Sequence, residues 1–240
     1  MKFKIENLYF KFAGQIKYFF ENQQVEFETE KLNFIKGANG SGKSTLLKIL
    51  FGKLNCGDAL NASFYFEEQK YLVTDKNFPL FFKKYTKMVP QNFDLMLAKD
   101  MTVEENLRLA NVGMFPKLAM LSQKKFDNHL FDKFNLDLQK KVSLLSGGQR
   151  QILAIIMSLQ KSCKILLLDE PSAALDEQNV EMVFAFLNYL AITSDLIITV
   201  VCHDADVVKK YTKDCYFEIK KDKSTNQSII KNVELLKTIF

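Results

Sequence analysis

A chain of 240 residues can bury one sizeable core and suits a single domain with a subdomain. Its hydrophobic content of 48% excludes a disordered chain. The net charge of +5 sits in scattered lysine pairs such as Lys124-Lys125 and Lys220-Lys221, which read as solvated faces, so no nucleic-acid partner is expected.

Residues 1–95 read as short strands, with apolar-aromatic runs at Ser63–Phe66 and Tyr71–Val73. Within them, Leu32-Asn33-Phe34-Ile35 suits a buried strand and Leu46-Leu47-Lys48-Ile49-Leu50 a helix. The β pattern is lost over residues 96–145. There Thr102-Val103-Glu104-Glu105 spells a capping box that opens a helix at Glu104–Ala110, and Gln123–Phe134 reads as a second, amphipathic helix. Residues 146–220 then alternate: Gly148–Gln160, Lys164–Leu168, Glu177–Ala191, Leu196–Val201, Asp204–Lys210 and Cys215–Ile219. That alternation predicts an α/β fold, a mostly parallel sheet with covering helices. The tail, residues 221–240, reads as polar and then mildly helical. No run reaches the ~20 apolar residues of a membrane-spanning helix. No apolar leader opens the chain, and the four cysteines (Cys56, Cys163, Cys202, Cys215) form no C-x-x-C pair, so a cytoplasmic protein with reduced thiols is expected.

Two segments carry chemistry. Gly37-Ala38-Asn39-Gly40-Ser41-Gly42-Lys43-Ser44-Thr45 fits G-x-x-x-x-G-K-[ST] between the predicted strand and helix. Glycines let backbone N–H groups turn inward around phosphate oxygens, and the helix N-terminus adds its positive end. Lys43 would place a charge on the outer phosphates, the Ser44 hydroxyl would ligate Mg²⁺, and Thr45 would support the phosphate shell. Downstream, Ile165-Leu166-Leu167-Leu168-Asp169-Glu170 reads as a central strand ending in two carboxylates, where open α/β sheets bind ligands. Asp169 would hold the metal and Glu170 would polarise an attacking water as general base.

With these in place, Leu145-Ser146-Gly147-Gly148-Gln149 resembles the signature of ATP-binding-cassette (ABC) ATPases without a substitution. Gln91 in Met88-Val89-Pro90-Gln91 resembles that family's Q-loop glutamine, Ser172-Ala173-Ala174-Leu175-Asp176 its D-loop, and His203 in Val200-Val201-Cys202-His203-Asp204 its switch histidine. Phe12 is similar to the aromatic that stacks on adenine, with Phe10, Tyr18 and Phe19 as alternatives in the same aromatic segment. The resemblance spans about residues 3–220; Lys36 before the phosphate loop and Cys202 before His203 depart from the common pattern without touching a catalytic group.

The resemblance implies a P-loop NTPase of the ABC type, a single ATPase domain throughout residues 1–240. Residues 1–95 and 146–220 would form its nucleotide-binding core, with an N-terminal antiparallel β subdomain, and residues 96–145 an inserted helical subdomain. It implies ATP and Mg²⁺ as cofactors, with Gln91 beside the metal. Ser146, Gly147, Gly148 and Gln149 would face the ATP of a second cassette, and Asp176 would pass between two sites in a head-to-tail dimer. Separate integral-membrane permease subunits, a substrate-binding protein and a place on the inner face of the membrane follow by the same resemblance. Phe93, Leu95, Met96, Leu97, Met101, Met114 and Phe115 are candidate liners of the groove that would receive the permease. A soluble ABC ATPase of an assembly or maintenance complex is the alternative. Import is favoured over export, the transported substrate is not encoded here, and homodimer and heterodimer both stay open.

Overall fold

The computed structural model describes residues 1–54, 62–72, 81, 84–110, 128–159, 162–222, 224, 225 and 227–235. Strand β1 (Lys2–Phe10) alternates its burial, with Phe3, Ile5, Leu8 and Phe10 inward. An irregularity between Ile5 and Leu8, where Asn7 has φ +53°, keeps both apolar residues on the core side. β1 pairs antiparallel with β2 (Phe20–Glu28) and with β4 (Ser63–Phe66), and β4 pairs with β5 (Gln69–Leu72), giving a sheet of order β2-β1-β4-β5.

The second sheet holds β3 (Leu32–Gly37), β6 (Thr86–Val89), β7 (Ile165–Asp169), β8 (Ile197–Val201), β9 (Cys215–Lys221) and β10 (Ser228–Glu234) in the order β10-β9-β3-β8-β7-β6. All its pairings are parallel except β9 with β10. Its central strands are apolar on both faces because both are covered. Leu166 and Leu168 of β7, with Ile198 and Val200 of β8, meet α4 (Gly147–Ser158) and α5 (Glu177–Thr193). The alternate residues Ile165, Leu167, Ile197 and Val201 meet α1 (Lys43–Leu50) and the antiparallel sheet. Because β3, β7 and β8 run parallel, their C-terminal ends, which carry Gly37, Asp169 and Val201, lie along one edge.

The segment that lost the β pattern contains α2 (Val103–Ala110) and α3 (Asn128–Lys133), and α6 (Ala205–Tyr211) follows β8. The predicted capping box forms: Glu105 N–H donates to Thr102 Oγ1 at 3.2 Å, and Thr102 N–H to Glu105 Oε2 at 2.7 Å. The helix expected over Gln123–Phe134 is described only from Asn128. Gln160, Val73, Cys56, Met114 and Phe115 also lie outside the described residues.

The tail differs from its sequence reading. Instead of helix, Ser228–Glu234 is strand β10, in full register with β9 from Ser228↔Lys221 to Glu234↔Cys215. Asp222 starts the reversal by accepting from the N–H and Oγ of Ser224 and from Thr225 N–H. β-Branched Ile229, Ile230 and Val233 then favour the pleated strand. Among the described residues no helix is long and apolar enough to cross a membrane.

Candidate nucleotide-binding site

The loop from β3 to α1 closes with Ser41 N–H donating to Ala38 O at 3.1 Å. Gly42 caps α1 at φ +111°, with no side-chain cap bond, and the first turn carries no acidic residue. An α-helix leaves its first N–H groups without intrahelical partners and its N-terminus positive, so this end favours an anion. Lys43 is only 5% exposed and donates to Gly37 O at 2.8 Å and Ala38 O at 3.1 Å, with Glu170 Oε1 3.8 Å away. A buried cation matched by carbonyls, beside a helix N-terminus free of acids, suits polyphosphate.

The carboxylates at the end of β7 face this loop. Ser44 Oγ donates to Asp169 Oδ1 at 3.4 Å. Burial, and then the neighbouring Glu170 charge, push the Asp169 carboxyl above its usual range, against the Ser44 hydrogen bond and the Lys43 charge. A divalent cation bound by Asp169 and Ser44 would relieve that like-charge pressure, so the donor set fits Mg²⁺. Glu170 leaves β7 with φ +49°, and its N–H crosses to Val201 O at 3.0 Å. Gln91 Nε2 lies 3.4 Å and His203 Nδ1 3.6 Å from its Oε2. Lys43, Gln91 and His203, from three separate segments, therefore converge on one carboxylate.

A cleft of about 500 Å³ is lined by Phe12, Phe19, Asn39, Gly40 and Gly42, with Lys43, Ser44, Thr45, Gln91 and Glu170 completing it. That volume lies within the ~300–1,000 Å³ usual for small-molecule sites. Of the four candidate aromatics, Phe12 and Phe19 line it, edge to face at 5.1 Å. Phe10 is buried behind both, and Tyr18 packs on Tyr9. His203 lines an adjoining cleft, which shares Gln91 and Glu170 with the first.

Ser146, Gly147, Gly148, Gln149 and Asp176 do not line the phosphate cleft. Ser146 caps α4 in a reciprocal box with Gln149. Ser146 Oγ and Gly148 N–H both donate to Asn179 Oδ1, at 2.8 and 3.0 Å. Asn179 in turn donates through its N–H and Nδ2 to the Asp176 carboxylate, at 2.8 and 2.6 Å. The Asn179 backbone bond, then its side-chain bond, hold the Asp176 carboxyl below its usual range.

Asn179 was not singled out by the sequence, although an Asp with an Asn three residues on is a readable helix-capping pair. Asp94 and Arg150 were missed too. Arg150 Nε donates to Asp94 Oδ1 at 3.0 Å, and its Nη1 to Leu145 O at 2.9 Å, tying the segment after Gln91 to the signature. Burial opposes ionised Asp94, but hydrogen bonds from Lys99 and Arg150 outweigh it and keep the carboxyl below its usual range. Of the proposed groove liners, Phe93 is core, Met96 and Leu97 pack half-buried on that core, and Leu95 and Met101 are exposed.

A family model described as ABC transporter matches residues 20–173. The tyrosine transport ATP-binding protein of Clostridioides difficile is 34% identical over 210 residues, 82% of this chain and 79% of that protein. The xylose import ATP-binding protein XylG of Histophilus somni is 34% identical over 70% of this chain, which spans only 33% of that relative. Among solved structures, cbiO1 from Clostridium perfringens, part of the transporter complex cbiONQ, superposes with a TM-score of 0.77 at 22% identity, covering 96% of this chain and 87% of that one. The cassette MJ0796, solved as a dimer in a post-hydrolysis state with ADP and phosphate, gives 0.67 at 23%, covering 97% and 98%. These two likenesses show the P-loop ABC cassette fold. The chain belongs to the ABC transporter family and is an ATP-binding cassette of it.

Proposed function

We propose that this chain binds and hydrolyses ATP to power transport of a solute across a membrane, as one cassette of a head-to-tail pair coupled to separate permease subunits. The observation that carries the reading is the Glu170 carboxylate, 3.4–3.8 Å from Gln91, His203 and Lys43 at the mouth of the phosphate loop. In this reading Lys43 and the first amides of α1 hold the phosphates, and Phe12 with Phe19 holds the base. Ser44, Gln91 and Asp169 would hold Mg²⁺, which supplies neutralising charge on the phosphate oxygens when bound. Glu170 takes the proton of the attacking water, and His203 orients that water from the other side. Ser146 and Gly148 offer donors at a helix N-terminus to the ATP of a partner cassette, so ATP acts across the interface and hydrolysis releases it. The dimeric MJ0796 cassette supports a paired arrangement, and a relative named for xylose import supports uptake over export.

Glu170→Gln tests the chemistry. ATP binding should persist while turnover falls by ~10²–10⁴-fold, the usual contribution of a general base, and the variant should accumulate as an ATP-bound dimer on size exclusion. Hydrolysis at the parent rate would remove Glu170 from its role. Transport is tested by affinity capture from detergent-solubilised native membranes. Co-purification of a polytopic permease supports the motor, whereas recovery of soluble partners alone, with ATPase activity intact, favours an assembly ATPase.

A further inference from the structure

Strand β10 does more than extend the sheet. Ser228, at its start, is 1% exposed and bonds both to the phosphate loop and to an aromatic residue that lines the cleft. Its hydroxyl donates to the carbonyl of Ser41 at 2.6 Å, and its backbone N–H donates to the carbonyl of Phe19 at 2.7 Å. Ser41 lies inside the phosphate loop, and its own buried hydroxyl has no hydrogen-bond partner among the described residues. Phe19 forms the aromatic wall and packs against Gly42, where an added Cβ would stand 2.7 Å from its ring.

We propose that Ser228 is a positioning residue for nucleotide binding, which fixes the phosphate loop through Ser41 and the aromatic wall through Phe19. A trans peptide is planar, and its C=O and N–H point in opposite directions. The Ser41 carbonyl, held towards β10, therefore turns the N–H of Gly42 away from β10, and Gly42 lines the cleft. Without the hydroxyl the Ser41 carbonyl loses its buried partner, and the peptide is free to rotate its donor away from a phosphate oxygen. The tie to Phe19 uses the Ser228 main chain and survives any side-chain change that keeps β10 in place. Substitution at Ser228 thus isolates the phosphate half of the tether. The residue acts through the loop and not on the Glu170 carboxylate, so its loss belongs in affinity and not in turnover.

The inference rests on the ATP reading of the cleft, and one titration series separates the two. Mg·ATP binding to the full chain is measured by calorimetry, and kcat and KM by phosphate release. Ser228→Ala should raise the Kd and KM by about tenfold, an affinity change of ~1.4 kcal/mol, with kcat within about twofold. ATP and GTP should lose by the same factor, because the base wall is untouched. Ser228→Cys, near-isosteric with a weaker donor, should fall between parent and alanine, which keeps the series informative if the alanine variant folds poorly. Gln23→Ala serves as control. It removes the Gln23 Oε1 that accepts from Ile230 N–H at 2.7 Å, a tie between β2 and β10 away from the phosphate loop, and should leave the Kd unchanged. Parent-like affinity in Ser228→Ala, or an equal loss in Gln23→Ala, would overturn the assignment to Ser228. A parent chain that binds no ATP would overturn the cleft reading, and this inference with it.

Discussion

Gly42 and Gly40 form a matched pair that separates backbone strain from steric fit in the phosphate loop. Both have positive φ, +111° and +75°, but a Cβ on Gly40 meets nothing within 4 Å among the described residues. A Cβ on Gly42 meets the Phe19 ring at 2.7 and 3.0 Å and the fully buried Phe20 ring at 3.2 Å. Alanine at Gly40 pays ~1–2 kcal/mol for left-handed backbone, offset by ~0.4–1 kcal/mol from a less flexible unfolded chain. The net loss is therefore about 0.5–1.5 kcal/mol. At Gly42 the strain is at least as large, because φ +111° lies further from the left-handed well, and it is joined by overpacking of two rings, typically ~1–3 kcal/mol, so the total is about 2–4 kcal/mol. At roughly 2–4 °C per kcal/mol for a domain of this size, Gly40→Ala should lower Tm by about 1–6 °C and Gly42→Ala by about 5–15 °C. Differential scanning fluorimetry of both variants beside the parent reads the difference. Gly42→Ala should also lose ATP affinity, because Phe19, which yields to the new methyl, lines the cleft. Equal Tm values for the two variants would refute the steric half of this reasoning, and parent-like stability in Gly42→Ala would refute all of it.

Two further outcomes are expected. Hydrogen bonds from Lys2 and then Lys31 hold the Glu28 carboxyl down to about 2, against 4.5 unperturbed, so its stabilisation is complete above pH 4.5 and is lost as pH falls towards 2. Because the group is a third exposed, Glu28→Gln should flatten the acid limb of the Tm–pH curve by only ~1–3 °C, and an unchanged limb between pH 5 and 3 would sink the assignment. In a Glu170→Gln background with ATP, Asn179→Ala should tighten dimerisation by freeing Ser146 Oγ and Gly148 N–H, while Asn179→Asp should weaken it by setting a carboxylate against those donors. Analytical ultracentrifugation giving the same direction for both variants would show that Asn179 does not compete for them.

The sequence carried the parallel sheet because covered strands write themselves as short apolar runs. Ile165–Leu168 and Leu196–Val201 need no partner information to be read as strands. The phosphate loop and the carboxylates were legible for a similar reason, since each is spelled by a contiguous motif, although Asp169 and Glu170 make their contacts with distant segments. β10 was not legible. Its one buried residue is a serine, and beyond its local hairpin with β9 its ties run to Ser41, Phe19 and Gln23, about two hundred positions earlier. A strand held by hydrogen bonds at an edge leaves no apolar alternation to find. The aromatic alternatives were undecided for another reason. Phe10, Phe12, Tyr18 and Phe19 are chemically alike at short range, and only the turn between β1 and β2 decides which rings face Lys43 and which face the core.

Lys43 shows how the loop manages a buried charge. An ammonium taken out of water needs acceptors, and here the loop's own carbonyls at Gly37 and Ala38 provide them, with Glu170 at longer range. A phosphate that takes Lys43 does not add hydrogen bonds to a bare cation. It takes the third ammonium donor, which the two carbonyls leave open. The ammonium–carbonyl bonds are already charge-assisted on the donor side, and an anionic acceptor puts a charge on both ends. The gain therefore grows with the charge on the ligand's oxygens more than with the number of contacts. Arginine does not reproduce this arrangement despite its charge. Its planar fork spreads five donors over a wider head, whereas Lys43 nests a compact ammonium against two carbonyls of adjacent residues and leaves its remaining donor for the ligand.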